Sequence, residues 1–355
     1  MSRGLGDVYK RQPTGMSAAY FVGRAGIPVT LFEKADRLGG IVRQVIPAFR
    51  ISDEAIDKDV ALMEKMGVEV KLNTEAPSVA ELKAQGYTHI FFAVGAWKAG
   101  RLDIPGNVVP VIGWLRDMKA GKDVSLGHVA VVGGGNTAMD AARAALRAGA
   151  KSSTLVYRRT KKYMPADAEE LEMAIADGVE FLELVAPVEQ KDGKLICEKM
   201  KLGDPDDKGR RKPVPTGEMV EIPCDTVVSA VGEKVESEVF TRNGITVDEK
   251  GIPAFKTNLE GVYAGGDAMR GPATVVEGIA DAQYFANAVI GEAHKFAIPA
   301  KAVATREEAV AKKGVLCESA KCEGNRCLTC NVVCQVCADV CPNRANVVIE
   351  LPDGR

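Results

Sequence analysis

The sequence runs to 355 residues, with 46 Lys and Arg against 48 Asp and Glu, and only 5% of its residues are aromatic. A near-neutral chain with so few aromatics lacks the basic face and stacking surface that nucleic acid requires, and no apolar run approaches the roughly 18–20 residues of a bilayer-spanning helix. Of nine cysteines, seven fall between residues 317 and 341, while Cys197 and Cys224 stand apart. That clustering fits metal ligation in a reducing compartment, the cytoplasm, rather than a secreted disulfide scaffold.

Residues 1–12 show no periodicity and read as a non-native, adapter-derived tail. Pro13-Thr14-Gly15-Met16-Ser17-Ala18-Ala19 then begins partway through a G-x-G-x-x-G phosphate turn. If Gly15 is the third glycine, the first two positions hold Lys10 and Gln12. Their side chains would occupy the space where backbone must approach a pyrophosphate, so the literal sequence is expected to hold its nucleotide poorly here. A helix is predicted over residues 16–24, ending at Gly26. Val29-Thr30-Leu31-Phe32-Glu33 reads as a strand, and Glu33 stands where such folds place an acid against a ribose hydroxyl. Gly39-Gly40-Ile41-Val42-Arg43 and Ile46-Pro47-Ala48-Phe49-Arg50 follow. Residues 53–66 read as a helix whose Ile56, Val60 and Met63 recur at helical spacing and serve packing. Residues 87–97 read as a buried strand running into a turn at Gly95; His89 there is a strand residue, since no carboxylate or nucleophile spacing surrounds it.

The strongest motif is Ala130-Val131-Val132-Gly133-Gly134-Gly135-Asn136-Thr137-Ala138. Gly133, Gly135 and Ala138 fill the dinucleotide fingerprint: a tight turn, close backbone approach to a pyrophosphate, and tight helix–strand packing. Free N–H groups at the helix start, around Asn136 and Thr137, then face the phosphates. The helix ends at Gly149, and the next strand, residues 154–157, leads directly into Arg158 and Arg159. A fold that binds NAD places an acid there for the ribose 2′-hydroxyl; two arginines suit the 2′-phosphate of NADPH instead. Residues 203–215 read as a polar hairpin loop or insertion, and residues 225–232 as another buried strand ending in glycine. Gly265-Gly266-Asp267 closes a further strand. Residues 271–288 read as a loop entering a helix, with Thr274 and Val275 at its start, and a helix N-terminus there favours negative charge on a bound group.

Residues 298–313 are rich in alanine and charge and read as linker. The spacing Cys334-x-x-Cys337-x-x-x-Cys341-Pro342 matches the last three ligands of a bacterial ferredoxin run. Cys330 lies four rather than three positions before Cys334, which leaves Cys327 and Cys330 both open as the fourth ligand. Zinc is the rival, but structural zinc sites separate their Cys-x-x-Cys pairs more widely, so a 4Fe-4S cluster is favoured. Seven cysteines are one short of two such clusters, and a second cysteine run beyond residue 355 is expected.

Glu33-Lys34 through Gly39-Gly40, the Ile46-Pro47-Ala48-Phe49-Arg50 segment, residues 134–140 and residues 157–166 together resemble the flavoprotein small subunit of glutamate synthase and its relatives, including the flavin portion of dihydropyrimidine dehydrogenase. The resemblance covers residues 13–288. It implies FAD held by Gly15, Glu33, Lys34, Gly39, Gly40, Arg43, Arg50, Gly95, Gly266, Asp267, Thr274 and Val275, with Asp267 on a ribityl hydroxyl. NADPH would be held by Gly133, Gly135, Asn136, Thr137, Arg158 and Arg159. The cysteine segment follows the flavin domain here instead of preceding it, an order that looks most like the selenate-reductase type of flavin and iron–sulfur protein. The implied fold is α/β: a flavoprotein with two dinucleotide-binding domains, the NADPH domain inserted in a split FAD domain, and a C-terminal ferredoxin-like cysteine-rich segment. The expected boundaries are 13–126 and 233–297 for FAD, 127–232 for NAD(P)H, 298–316 for a linker, and 317–355 for an iron–sulfur segment cut short.

The implied function is hydride transfer from NADPH to FAD, then single electrons to the cluster and on to a partner subunit or a downstream domain. Cofactors carry that chemistry, so no catalytic side chain is assigned. Two other readings stay open: a non-catalytic electron-transfer or assembly subunit, and a zinc-bearing interaction module fused to a degraded flavoprotein. Dithiol chemistry of the thioredoxin reductase kind is disfavoured, because residues 127–232 contain no Cys-x-x-Cys.

Overall fold

The computed structural model describes residues 13–124, 126–205 and 211–291. The chain divides into two units, Val8–Val289 and the remainder, Met1–Asp7 with Ile290–Arg355; the description concerns the first. The predicted tail at residues 1–12 and the cysteine segment, with Cys327, Cys330, Cys334, Cys337 and Cys341, lie outside the described residues.

The central feature is a five-stranded parallel sheet in the order Val108–Pro110, Thr226–Ser229, His128–Val132, Ser152–Tyr157, Glu180–Glu183. Its middle strands are short, continuous runs rich in valine, as expected of parallel strands covered on both faces. Val129, Ala130, Val131, Val227 and Val228 are all wholly buried. The helix Asn136–Arg147 packs on this sheet through Ala138, Ala141, Ala142 and Ala145, whose small side chains permit close approach, and through Met139. Burying a side chain the size of Met139 or Leu155 contributes about 1.5–3 kcal/mol each. The sheet also takes in Val108–Pro110 and the helix Val111–Lys119 that follows it, ahead of residue 127.

Two further pairs of parallel strands are present. Thr30–Phe32 lies beside Glu69–Lys71, and Ile90–Phe92 beside Val262–Ala264. The second pair joins stretches from before and after the five-stranded sheet. The helices Pro13–Arg24, Asp53–Glu64 and Val275–Ile290 accompany these pairs. Ile56 and Met63 are buried as their spacing predicts, and Val60 is half-buried.

An antiparallel sheet of Arg211–Pro223, Lys194–Pro205 and Val185–Lys191 follows the five-stranded sheet's edge strand in sequence. Here the structure revises the sequence reading. Residues 203–215 are part of a hairpin, but its strands run through most of them, pairing Leu202 with Pro213 and Pro205 with Arg211. Prolines 213 and 215 are tolerated because Arg211–Pro223 is an edge strand, where a missing N–H breaks no ladder. The composition looked like loop because both strands leave most side chains in water. Among the described residues no helix is long and apolar enough to cross a membrane.

Candidate functional site: a glycine turn and an open cavity

At the end of the strand His128–Val132 the chain turns sharply. Gly133 has φ +157° and donates its N–H to the Val156 carbonyl at 3.1 Å. A Cβ at Gly133 would collide with the backbone carbonyl of Ala230, which cannot yield, so this position requires glycine. Gly135 differs. It caps the helix Asn136–Arg147 with extended backbone, and a Cβ there would meet nothing within 4 Å. The protein itself therefore makes no use of the missing side chain. What a Cβ would fill is the open ground before the helix N-terminus, where the first N–H groups of a helix lack intrahelical partners and suit an anion.

The walls of this turn are fixed from several directions. Ala138 is wholly buried against the sheet. Thr137 donates its hydroxyl to Glu233 at 2.9 Å. Asn136 and Asp167 exchange two hydrogen bonds: the Asp167 N–H donates to Asn136 at 3.2 Å, and the Asn136 amide donates to Asp167 at 3.3 Å. Ala166 donates its N–H to the Gly134 carbonyl at 3.0 Å, while Tyr157 donates its hydroxyl to the Tyr163 carbonyl at 2.7 Å. The segment after Arg159 is thus folded back over the glycines.

Arg158 and Arg159 directly follow the neighbouring strand Ser152–Tyr157. Arg158 is exposed and Arg159 half-buried. Among the described residues neither forms an ion pair with a carboxylate, and Arg159 Nε is buried without a hydrogen-bond partner. Lys161 and Lys162, both exposed in the following turn, lengthen the basic row. Sequence reasoning stopped at the arginine pair, although the same tetrad of basic residues was visible in Arg158-Arg159-Thr160-Lys161-Lys162.

The residues expected around FAD separate into two groups. Gly15, Glu33, Lys34, Gly39 and Gly95 line one cavity of about 1280 Å³. Gly40, Arg43, Arg50, Gly266, Asp267, Thr274 and Val275 are not among its lining residues. Glu33 stands at a strand end, accepting a hydrogen bond from the Ala35 N–H at 2.9 Å and donating its own N–H to Lys71. Asp267 is buried and accepts from the Ala273 N–H at 2.9 Å, which pins the turn ahead of the last helix. Thr274 caps that helix, Val275 being its first residue. The Glu277 N–H donates to Thr274 Oγ1 at 3.3 Å, and the Thr274 N–H and hydroxyl donate to the Glu277 carboxylate at 2.9 and 2.8 Å. Those bonds hold the Glu277 carboxyl below its usual range. Buried Asp281 accepts from the Gly266 N–H at 2.8 Å and from Arg270 at 2.9 and 2.6 Å, fixing the Gly265-Gly266-Asp267 turn from the helix side.

The two arginines given to FAD by resemblance are occupied elsewhere. Arg43 is buried, donating to the Leu38 carbonyl and to Asp57, both at 2.5 Å, with Asp53 at 3.3 Å. Arg50 donates to Asp140 at 2.6 Å and, through both terminal nitrogens, to Glu170. Glu170 is 0% exposed and Arg50 14%. Burial alone would lower the Arg50 pKa, but the bonds and charges of Glu170 and Asp140 outweigh it and raise the group above an ordinary arginine. Phe49 lies beneath the guanidinium groups of Arg143 and Arg147, at 4.9 and 4.6 Å, and both arginines bind Asp177. The Phe49-Arg50 dipeptide therefore ties its segment to the helix that begins at the glycine turn and to the helix Ala168–Ala176.

Cys197 and Cys224 are buried, and burial pushes their thiols up to about 12 and about 11. A buried thiol held protonated in this way is a poor nucleophile and a poor metal ligand.

Comparison with known proteins agrees with this geometry. The family described as pyridine nucleotide-disulphide oxidoreductase matches residues 13–282. YgfK of Escherichia coli K12, described as an oxidoreductase, is 39% identical over 96% of this chain, and the chain spans 35% of that relative's length. A protein of Cereibacter sphaeroides described as the small chain of glutamate synthase (NADPH) is 33% identical over 78% of this chain and 74% of its own. Among solved structures, FprA of Mycobacterium tuberculosis in complex with NADPH superimposes with a TM-score of 0.64 at 21% identity, over 79% of this chain and 82% of that one; at that identity the likeness concerns the fold. The chain belongs to the pyridine nucleotide-disulphide oxidoreductase family, among the FAD-dependent NAD(P)H oxidoreductases related to the glutamate synthase small chain.

Proposed function

We propose that this chain takes hydride from NADPH onto FAD and releases the electrons singly toward an iron–sulfur cluster. The observation that carries the reading is the turn at Gly133 and Gly135, open in front of the helix Asn136–Arg147, beside two arginines that no carboxylate of the described residues neutralises. The helix start supplies N–H donors for a pyrophosphate. Arg158 and Arg159 supply charge-assisted bonds that a 2′-phosphate satisfies and a 2′-hydroxyl does not. Glu33, at the rim of the cavity, accepts from a ribose hydroxyl. FAD, when bound, accepts a hydride and returns electrons one at a time; the chain orients it and excludes water.

Residues 127–232 constitute the nucleotide domain in this reading, and residues 13–126 with 233–297 the flavin domain. Residues 317–355 hold a 4Fe-4S cluster through Cys334, Cys337, Cys341 and one of Cys327 or Cys330, as the ferredoxin-like spacing supports. The next acceptor is a partner subunit or a downstream domain. The reading is tested by purifying the chain without oxygen and measuring flavin, iron, labile sulfide and zinc, then dye reduction with NADPH and with NADH. Flavin and iron with NADPH-driven turnover support it. Zinc in place of iron removes the cluster, and bound flavin without turnover removes the oxidoreductase.

A further inference from the structure

Beyond the strand Thr226–Ser229 the chain runs alongside the glycine turn. Ala230 donates its N–H to the Val132 carbonyl at 2.8 Å, and its own carbonyl is the group that leaves no room for a Cβ at Gly133. Gly232 then takes φ +108°, and Glu233 and Lys234 pair antiparallel with Ala99 and Lys98. The Gly100 N–H donates to the Gly232 carbonyl at 2.6 Å. A Cβ at Gly100 would stand 2.9 Å from the carbonyl oxygens of Val231 and Gly232, so the two chains of this ribbon meet too closely for any other residue. One chain of the ribbon leads into the five-stranded sheet and the other leaves it.

The ribbon brings an acid to the turn. Glu233 is half-buried, and its carboxylate accepts the Thr137 hydroxyl at 2.9 Å. Asn136 and Thr137 open the helix that follows Gly135, so their N–H groups have no partner within it, and a carboxylate is the charge that this end of a helix stabilises. A dinucleotide pyrophosphate seeks the same ground and is itself negative. The two anions therefore compete for one helix start. The other side of the ribbon faces elsewhere: Ala99, with Glu236 just beyond Lys234, lines the cavity of about 1280 Å³.

We propose that Glu233 is a built-in competitor of the nucleotide: its carboxylate holds Thr137 while the turn is empty and leaves that hydroxyl when a pyrophosphate takes the helix start. Glu233 is thus a residue that sets nucleotide affinity by opposing it, and its departure frees the ribbon from the glycine turn. Occupancy of the turn is thereby communicated to a strand that walls the cavity, through one hydrogen bond made or broken. The inference rests on the reading of Gly133 and Gly135 as the nucleotide site and adds to it an acid that the glycine motif does not contain. Removing the charge while keeping the shape, Glu233→Gln, retains an acceptor for Thr137 and removes the repulsion.

The test is calorimetric titration of the full chain and of Glu233→Gln with NADP+ and with 2′-AMP, which carries the 2′-phosphate but no pyrophosphate. The variant is expected to bind NADP+ about fivefold or more tightly than the parent, since one like charge a few ångströms from an anion opposes binding on that scale or above. Binding of 2′-AMP should be equal in the two proteins, and the gap for NADP+ should narrow between about 0.05 M and about 0.5 M salt. Equal or weaker NADP+ binding by the variant overturns the proposal while leaving the nucleotide site in place. Failure of both proteins to bind either probe removes the nucleotide site and the competitor with it. If the variant does not fold, amide exchange of the parent decides: NADP+ should slow residues 135–138 and speed residues 232–234, and slowing at both places overturns the release of Glu233.

Discussion

Arg50→Ala separates what the sequence resemblance implies from what the structure shows. Resemblance puts this arginine on FAD, whereas the structure commits it to Asp140 at 2.6 Å and to a two-point contact with fully buried Glu170. Among the described residues, truncation leaves Glu170 with Arg143 as its one remaining ion-pair partner, 3.9 Å away. Removing one partner of a buried ion pair costs about 3–5 kcal/mol, because the other charge stays buried and uncompensated. For a folded body of this size that lowers Tm on the order of 10 °C. Arg50→Lys retains the charge but not the forked contact, so it should fall between Ala and the parent. Replacing both partners, Arg50→Met with Glu170→Leu, should regain more than half of the loss, since Arg143 keeps Asp177 at 2.8 Å. The assay is thermal and urea unfolding of flavin-free protein, paired with flavin content at saturating FAD. A variant with the parent's Tm and no flavin would refute the clamp and return Arg50 to the flavin site.

Three other outcomes are expected. Arg158→Ala combined with Arg159→Ala should raise KM for NADPH roughly tenfold to a hundredfold through lost charge-assisted bonds, with NADH kinetics little changed; an equal loss for both nucleotides contradicts 2′-phosphate recognition. The thiols of Cys197 and Cys224 titrate higher folded, at about 12 and about 11, than the roughly 8.5 of an unfolded cysteine. Their contribution to stability is thus whole below about pH 8.5 and lost as pH rises toward 11–12, so Cys197→Val should flatten the alkaline loss seen in urea titrations. In the acid range, burial works against the Asp177 carboxylate, but hydrogen bonds from Arg143 and Arg147 hold its pKa below the ordinary value. Its contribution is present above the unfolded pKa of about 3.9 and lost as pH falls through the folded one; Asp177→Asn should be less stable at neutral pH and differ less from the parent in acid.

What could be read in advance was local in sequence. The strand His128–Val132, its glycine turn and the helix Asn136–Arg147 are contiguous, and each glycine's role follows from the turn itself. The helix cap Thr274-x-x-Glu277 carries its signature within four residues. The partners of Arg50 lie 90 and 120 residues away on two other helices, so no window of sequence shows that the Ile46-Pro47-Ala48-Phe49-Arg50 segment is anchored beside the glycine turn rather than placed on the cavity. Nor does composition show that Pro213 and Pro215 belong to a strand, because their tolerance depends on Arg211–Pro223 standing at a sheet edge. The half-buried state of Leu31, Phe32 and Phe91 is equally hidden: their sequences predict buried strands, whereas all three line the cavity.

The most direct measurement is an anaerobic titration with NADPH of the chain reconstituted with FAD, followed at the flavin absorbance band, beside Gly135→Val. A Cβ at Gly135 meets nothing within 4 Å, at the residue that caps the helix Asn136–Arg147, so folding and flavin content should be unchanged. Stoichiometric bleaching in the parent, and its loss in the variant at the same NADPH concentration, is the expected result. A flavin band that NADPH leaves untouched in the parent, or that bleaches equally fast in Gly135→Val, contradicts hydride delivery from a nucleotide seated on this turn.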